Sequence, residues 1–146
     1  MKRAIVLIFL TFLSGCATSI VKYSESIPVP EKDRGPAYEK YASEKDNSGI
    51  IIIVRDSGVL GAAGESDLFV NGELVAGIGT KESVKLFLEK GEHLLGIGPG
   101  ASFSIEDTKK YMEEQAVSVQ VGKTYYYRIS LVMGKGMVLQ RTSQIQ

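Results

Sequence analysis

An antiparallel β-sandwich of seven to eight short strands is the fold class this sequence predicts. Three observations lead there. From Gly49 onward apolar residues recur at every second position, the period of a pleated strand. Turns rich in glycine interrupt them at short intervals. No stretch between two strands has the length and helical period that a parallel βαβ unit requires, so an all-β chain with no parallel pairing is expected. The expected layout is a signal over residues 1–15, a lipidated start and tether over 16–48, and the sandwich over 49–146.

The leader is read from order. Lys2-Arg3 precedes an apolar run from Ala4 to Leu13, and Leu13-Ser14-Gly15-Cys16 follows as a lipobox. The apolar run is about ten residues, half of the roughly 20 that a bilayer-spanning helix needs. Cys16 is therefore expected to carry a diacylglyceryl thioether and, after cleavage, an amino-terminal acyl group such as palmitate. Each buried methylene contributes about 0.8 kcal/mol and one chain binds only reversibly, so two or three chains make a permanent membrane anchor. Cys16 is the only cysteine, which leaves no thiol for a disulfide. In the bacterial lipoproteins this leader resembles, Asp after the cysteine often signals inner-membrane retention. Ala17 stands there, which implies the outer membrane, facing the periplasm.

Residues 17–48 hold three of the four prolines, Pro28, Pro30 and Pro36, with many charges. Pro28-Val29-Pro30 resists both helix and central strand. The expectation is a spacer that, if flexible, spans about 30 Å. Pro36 to Lys45 has the makings of a short helix laid on the domain, with Tyr38 and Tyr41 as packing residues.

The strands follow. Ile50-Ile51-Ile52-Ile53-Val54 is β-branched throughout and reads as a strand buried on both faces. Leu68-Phe69-Val70 and Glu73-Leu74-Val75 flank Asn71-Gly72, the dipeptide of a tight hairpin turn. Pairing across it puts Leu68, Val70 and Val75 on one face, Phe69 and Leu74 on the other. Val84, Leu86 and Leu88 alternate with Ser83, Lys85 and Phe87, and Gly91-Glu92 turns into His93-Leu94-Leu95-Gly96-Ile97. Val117, Val119 and Val121 alternate before a Gly122-Lys123 hairpin turn. Tyr125, Tyr127, Ile129 and Leu131 alternate with Tyr126, Arg128 and Ser130. Met137 to Arg141 closes the series after Gly134-Lys135-Gly136. Pro99 to Glu114 fits either a strand through Phe103 and Ile105 or two helical turns over Glu106 to Glu114.

Chemistry is sparse. Seventeen basic and 17 acidic side chains balance, and loss of Lys2 and Arg3 leaves the mature chain about two charges negative. No basic patch favours nucleic acid. One histidine and one lipidated cysteine supply no converging metal ligands. His93 follows a turn, lacks a nucleophile elbow nearby, and reads as structural. Seventeen acids make chance carboxylate pairs common, so Glu106-Asp107 and Glu113-Glu114 read as solvated charge and Asp67 as a turn residue. Gly122-Lys123-Thr124 copies the end of a phosphate-binding loop, but Val117 stands where its first glycine belongs. The candidate binding surface is Tyr126 and Arg128, an exposed tyrosine beside an arginine, with the glycine loop at Gly58, Gly61 and Gly64.

Four segments in succession carry a resemblance: Ile52-Ile53-Val54-Arg55, Leu68-Phe69-Val70-Asn71-Gly72-Glu73, Leu88-Glu89-Lys90-Gly91-Glu92-His93 and Gly122-Lys123-Thr124-Tyr125-Tyr126. Their order resembles small envelope β-sandwich domains related to the PEGA type, as found in an uncharacterised group of Gram-negative lipoproteins. It extends from Gly49 to Arg141. It departs at Lys90, where those turns usually have proline, and at Asn71, where aspartate is common. The resemblance implies a transthyretin-like sandwich, an envelope location and a non-enzymatic role, with no catalytic residues to transfer. The expected function is an anchored binding or assembly domain without cofactor, whose partner is another envelope protein or cell-wall glycan. The alternative is a hydrolase of cell-wall or surface polysaccharide.

Overall fold

A computed structural model describes residues 18–58, 64–100, 104–132 and 134–146. Among them run nine strands: β1 (Ile27–Pro28), β2 (Ser48–Arg55), β3 (Ser66–Val70), β4 (Glu73–Ile78), β5 (Glu82–Glu89), β6 (Gly91–Pro99), β7 (Glu113–Val119), β8 (Thr124–Val132) and β9 (Gly136–Arg141). Two short helices accompany them, α1 (Tyr38–Ala42) and α2 (Ile105–Lys110). One sheet has the order β1-β5-β2-β8-β9, the other β4-β3-β6-β7. They face each other as a sandwich.

The alternations fill its middle. Leu68, Val70 and Val75 meet Val84, Leu86 and Leu88, with Val117, Val119, Tyr125, Tyr127 and Ile129, in one buried cluster. Asn71 and Gly72, at φ 51° and 77°, make the hairpin turn between β3 and β4. The register slips between Leu68 and Phe69, so Val75 is an extra residue opposite that step.

Two topological expectations are corrected. The first sheet is mixed: β2 runs parallel to β8, with Ile51 beside Tyr125 and Ile53 beside Tyr127, and β1 runs parallel to β5. Lack of βαβ spacing excluded only a helical crossover. Here the chain leaves β2 for β3 and β4 of the second sheet, returns as β5 antiparallel to β2, crosses again for β6 and β7, and then lays β8 on the other side of β2 in the same direction. Nor is Gly122-Lys123 a hairpin turn, because β7 and β8 belong to different sheets. That turn carries the chain across the sandwich, and Gly91 does the same between β5 and β6.

The larger difference concerns the expected tether. Its described part, residues 18–47, lies on the sandwich as a strap. Ser19 bridges Ser57, and Val21 is buried on the outer face of β2 with Ile52, Val54 and Ile145. β1 pairs with the edge of β5, a place where proline's missing N–H costs nothing. Val29 and Tyr41, at 2% and 4% exposure, enter the main core. Gly35 crosses β4 so closely that an added Cβ would stand 2.6 Å from the Leu74 carbonyl oxygen. The folded unit therefore begins well before Gly49. Its apolar anchors are widely spaced and have no period, so nothing in the local pattern distinguishes a strap from a spacer. The strap also explains β2: Ile52 and Val54 face outward yet are buried, because Val21 and Ile145 cover them.

α1 arises where the helix was expected. It docks through Tyr41, whose hydroxyl donates to Glu73 Oε2 at 3.0 Å, and through partly buried Tyr38. In the ambiguous stretch before Glu114, Ser104 caps α2 by accepting from the Asp107 N–H at 3.1 Å. Buried Thr108 ties the helix down by donating to the Pro99 carbonyl at 2.9 Å. The strand period resumes at Glu113.

Candidate functional site

The two long sides of the sandwich are finished differently. On one side, the strap covers both sheet edges. Ile27 and Val29 N–H groups donate to the Lys81 and Ser83 carbonyls, each at 2.9 Å, and Gly35 and Ala37 N–H groups donate to Val75 and Leu74 at 2.7 and 3.1 Å. On the other side, no described strand pairs with the outer edge of β9 or of β7.

Among the described residues one side-chain hydrogen bond ties β7 to β9 across that open side. Gln115 occupies the inward register of Val117 and Val119, and its Nε2 donates to the Leu139 carbonyl at 2.8 Å. Alternate residues of a strand aim their backbone groups the same way. Leu139 thus places the N–H and C=O of Met137 and Arg141 on the open side as well. Thr142, in the other register, donates its N–H to Tyr126 at 2.9 Å.

Beside this edge Arg128, Gln140, Arg141, Thr142 and Gln144 line a shallow polar groove. Arg128 donates from Nε to Asp56 Oδ2 at 3.1 Å, and its Nη2 pairs with the same oxygen. The Asp56 side chain is 1% exposed, that of Arg128 16%. Burial pushes the Asp56 carboxyl above its ordinary value, and the Arg128 guanidinium opposes that shift. Arg128 is thus half-committed to holding Asp56. Arg141 is not: it is exposed, and its guanidinium lies 4.9 Å over the Tyr125 ring. The Tyr125 hydroxyl accepts the Gln120 N–H at 3.0 Å, which fixes the ring beneath it. A guanidinium held on a ring face presents its N–H donors in one plane, suited to a carboxylate or phosphate. Around it the glutamine amides and the Thr142 hydroxyl both donate and accept.

Tyr126 and Arg128 share the outer face of β8, as alternation requires. The expectation that Tyr126 is exposed is corrected, since Val21 and Ile145 leave it only partly accessible. Gly58 packs against Thr18, and the Gly64 carbonyl accepts from Arg55 Nη1 at 2.8 Å, a contact near the chain's entry into the fold. No described contact joins these glycines to Tyr126 or Arg128. Leu13, Ser14, Gly15, Cys16 and Gly61 lie outside the described residues.

Gln115 and Arg141 escaped the sequence reading. The available signal was a polar residue in the inward register of an otherwise valine-lined strand, together with the run Gln140-Arg141-Thr142-Ser143-Gln144 after the last apolar residue. His93 is a clamp: its ring nitrogens lie 3.0 Å from Asn71 Nδ2 and 2.8 Å from the Glu89 carbonyl, which suits the neutral ring protonated on Nε2. Asp67 is a strand residue, not a turn residue. Burial, with Glu65 adding like charge, raises its carboxyl to about 6, and Glu65 is itself raised by burial and by Asp33. Among the described residues no three His, Cys, Asp or Glu side chains form a metal-holding group. Comparison with known proteins finds no matching family model, no matching curated protein and no matching solved structure.

Proposed function

We propose that this chain is an outer-membrane lipoprotein, anchored through lipid on Cys16 and facing the periplasm. Its transthyretin- or PEGA-like sandwich binds another envelope protein or a cell-wall glycan along the open β7–β9 side, without catalysis or cofactor. The lipobox and its basic, apolar leader support the anchor. The observation that carries the binding role is the asymmetry of the edges. A strap guards β5 and β4, while the outer edge of β9 meets no other described strand and lies next to the exposed, ring-supported Arg141. Unpaired strand edges are either blunted or used, and extended partners add to them by main-chain hydrogen bonds.

A photo-crosslinking residue at Gln144 is expected to capture an envelope partner in cells, while one at Ser43 on the strap side is not. Arg141→Ala should weaken the Gln144 adduct. Capture from Ser43 with none from Gln144 would reject the assignment of this side.

The hydrolase reading has one observation in its favour. Asp67, raised to about 6 beside Glu65, keeps its proton to a higher pH than an ordinary aspartate, the direction a general acid needs. Release of fragments from peptidoglycan by the purified domain, abolished by Asp67→Asn, is the result that would favour it.

A further inference from the structure

Ser19 marks where the chain joins the fold. Its N–H donates to the Ser57 carbonyl at 2.7 Å, and Ser57 returns the bond at 3.0 Å. Only Ala17 and Thr18 separate this bridge from Cys16. Three residue steps at full extension cover about 10 Å, far less than the spacer expected from composition.

Strand register identifies what lies at that end of the sandwich. Val54 pairs with Ser83, and Ile27 with Glu82, so Lys81 and Ile27 sit there. Arg55 is beside Ile129, so the Gly134-Lys135-Gly136 turn that follows Val132 sits there too. Lys81 and Lys135 are exposed. Ile20 and Ile27 are 42% and 61% exposed. Single apolar residues on a surface are ordinary, but these two flank the one end that a lipid on Cys16 can reach. Acids share this end: Glu82 accepts the Gly79 N–H at 2.7 Å, while Glu25, two residues from Ile27, and Glu113, in a groove with Lys135, are exposed. The opposite end carries the turns at Asn71-Gly72, Gly91 and Gly122. It is about 30 Å away along the nine residues of β8.

We propose that the sandwich stands end-on against the bilayer, strapped directly to its anchor. Ile20 and Ile27 meet the boundary between headgroups and acyl chains, and the Lys81 and Lys135 stems extend to lipid phosphates. This rests on lipidation of Cys16. It explains why the segment next to the lipid is spent on packing: a strap transmits position, whereas a flexible spacer does not.

The test uses full-length lipidated protein in phosphatidylethanolamine–phosphatidylglycerol vesicles containing a headgroup-nitroxide lipid. With Cys16 acylated, an introduced cysteine is the only free thiol, so Lys81→Cys, Lys135→Cys, Lys90→Cys and Lys123→Cys each accept one fluorophore. Quenching is expected to be several-fold stronger at 81 and 135 than at 90 and 123, and to disappear when a long Gly-Ser linker separates Ala17 from Thr18. Equal quenching at all four positions in palmitate-labelled protein would overturn end-on seating and leave the anchor standing. Absence of palmitate would overturn the anchor and the seating together.

Discussion

The strap side and the open side of the sandwich solve the same problem in opposite ways. Both expose the outer edges of two sheets. On the strap side four backbone hydrogen bonds between Ile27 and Ala37 cover β5 and β4, and Val29 and Tyr41 drive apolar anchors into the core behind them. On the open side one hydrogen bond among the described residues, from the Gln115 amide, ties β7 to β9. Stability is concentrated where the chain folds back on itself, and free valence where it does not. A domain that recognises something needs both, because a sheet edge is useful to a partner only if the rest of the sheet is rigid.

The comparison can be broken by mutation. The largest effect is expected from Tyr41→Ala, which removes a buried ring and its bond to Glu73. Urea unfolding should show a loss of about 3–5 kcal/mol, against about 0.5 kcal/mol or less for Gln140→Ala on the open side. Equal losses would mean the strap is ornamental. Arg128→Ala comes next, at about 3 kcal/mol, since it strands the Asp56 carboxylate in a site with 1% exposure. The double variant with Asp56→Ala should recover part of that loss, a coupling readable from a double-mutant cycle.

Gln115→Ala sharpens the contrast from the other direction. It should cost only about 1 kcal/mol while releasing the Leu139 carbonyl. Stronger partner capture from Gln144 is the expected companion result, and weaker capture would make Gln115 part of the binding surface itself. The smallest effect concerns pH. Folding raises the Asp67 carboxyl from 3.8 to about 6, so folding favours its protonated form. That contribution is fully present below about pH 4 and is lost as pH rises through about 6. Asp67→Asn should therefore flatten the fall in stability over this window and make the protein slightly more stable above it. The raised Glu65 leaves some slope behind.

Local pattern carried the strands. The alternation around Val84, Val117 and Tyr125 reports the pleat directly, because successive side chains must point to opposite faces. Asn71-Gly72 likewise reports its own turn, since both positions need positive φ. Pairing is a different matter. Residues 50–55 and 124–129 lie side by side in parallel, and nothing within either segment states its partner. The proposed binding side was legible in part: Arg128 could be placed on an outer face, but its tie to Asp56 joins residues 72 positions apart.

By itself, then, the sequence determined the strand period, the two faces of each strand and the hairpin at Asn71, all of which depend on near neighbours in the chain. Only the tertiary structure decided that residues 18–47 form a strap, that β2 is covered by Val21 and Ile145, and that β9 is left open beside Arg141. Those outcomes depend on which distant surfaces compete to bury the same apolar area and satisfy the same backbone groups, and that competition has no local signature.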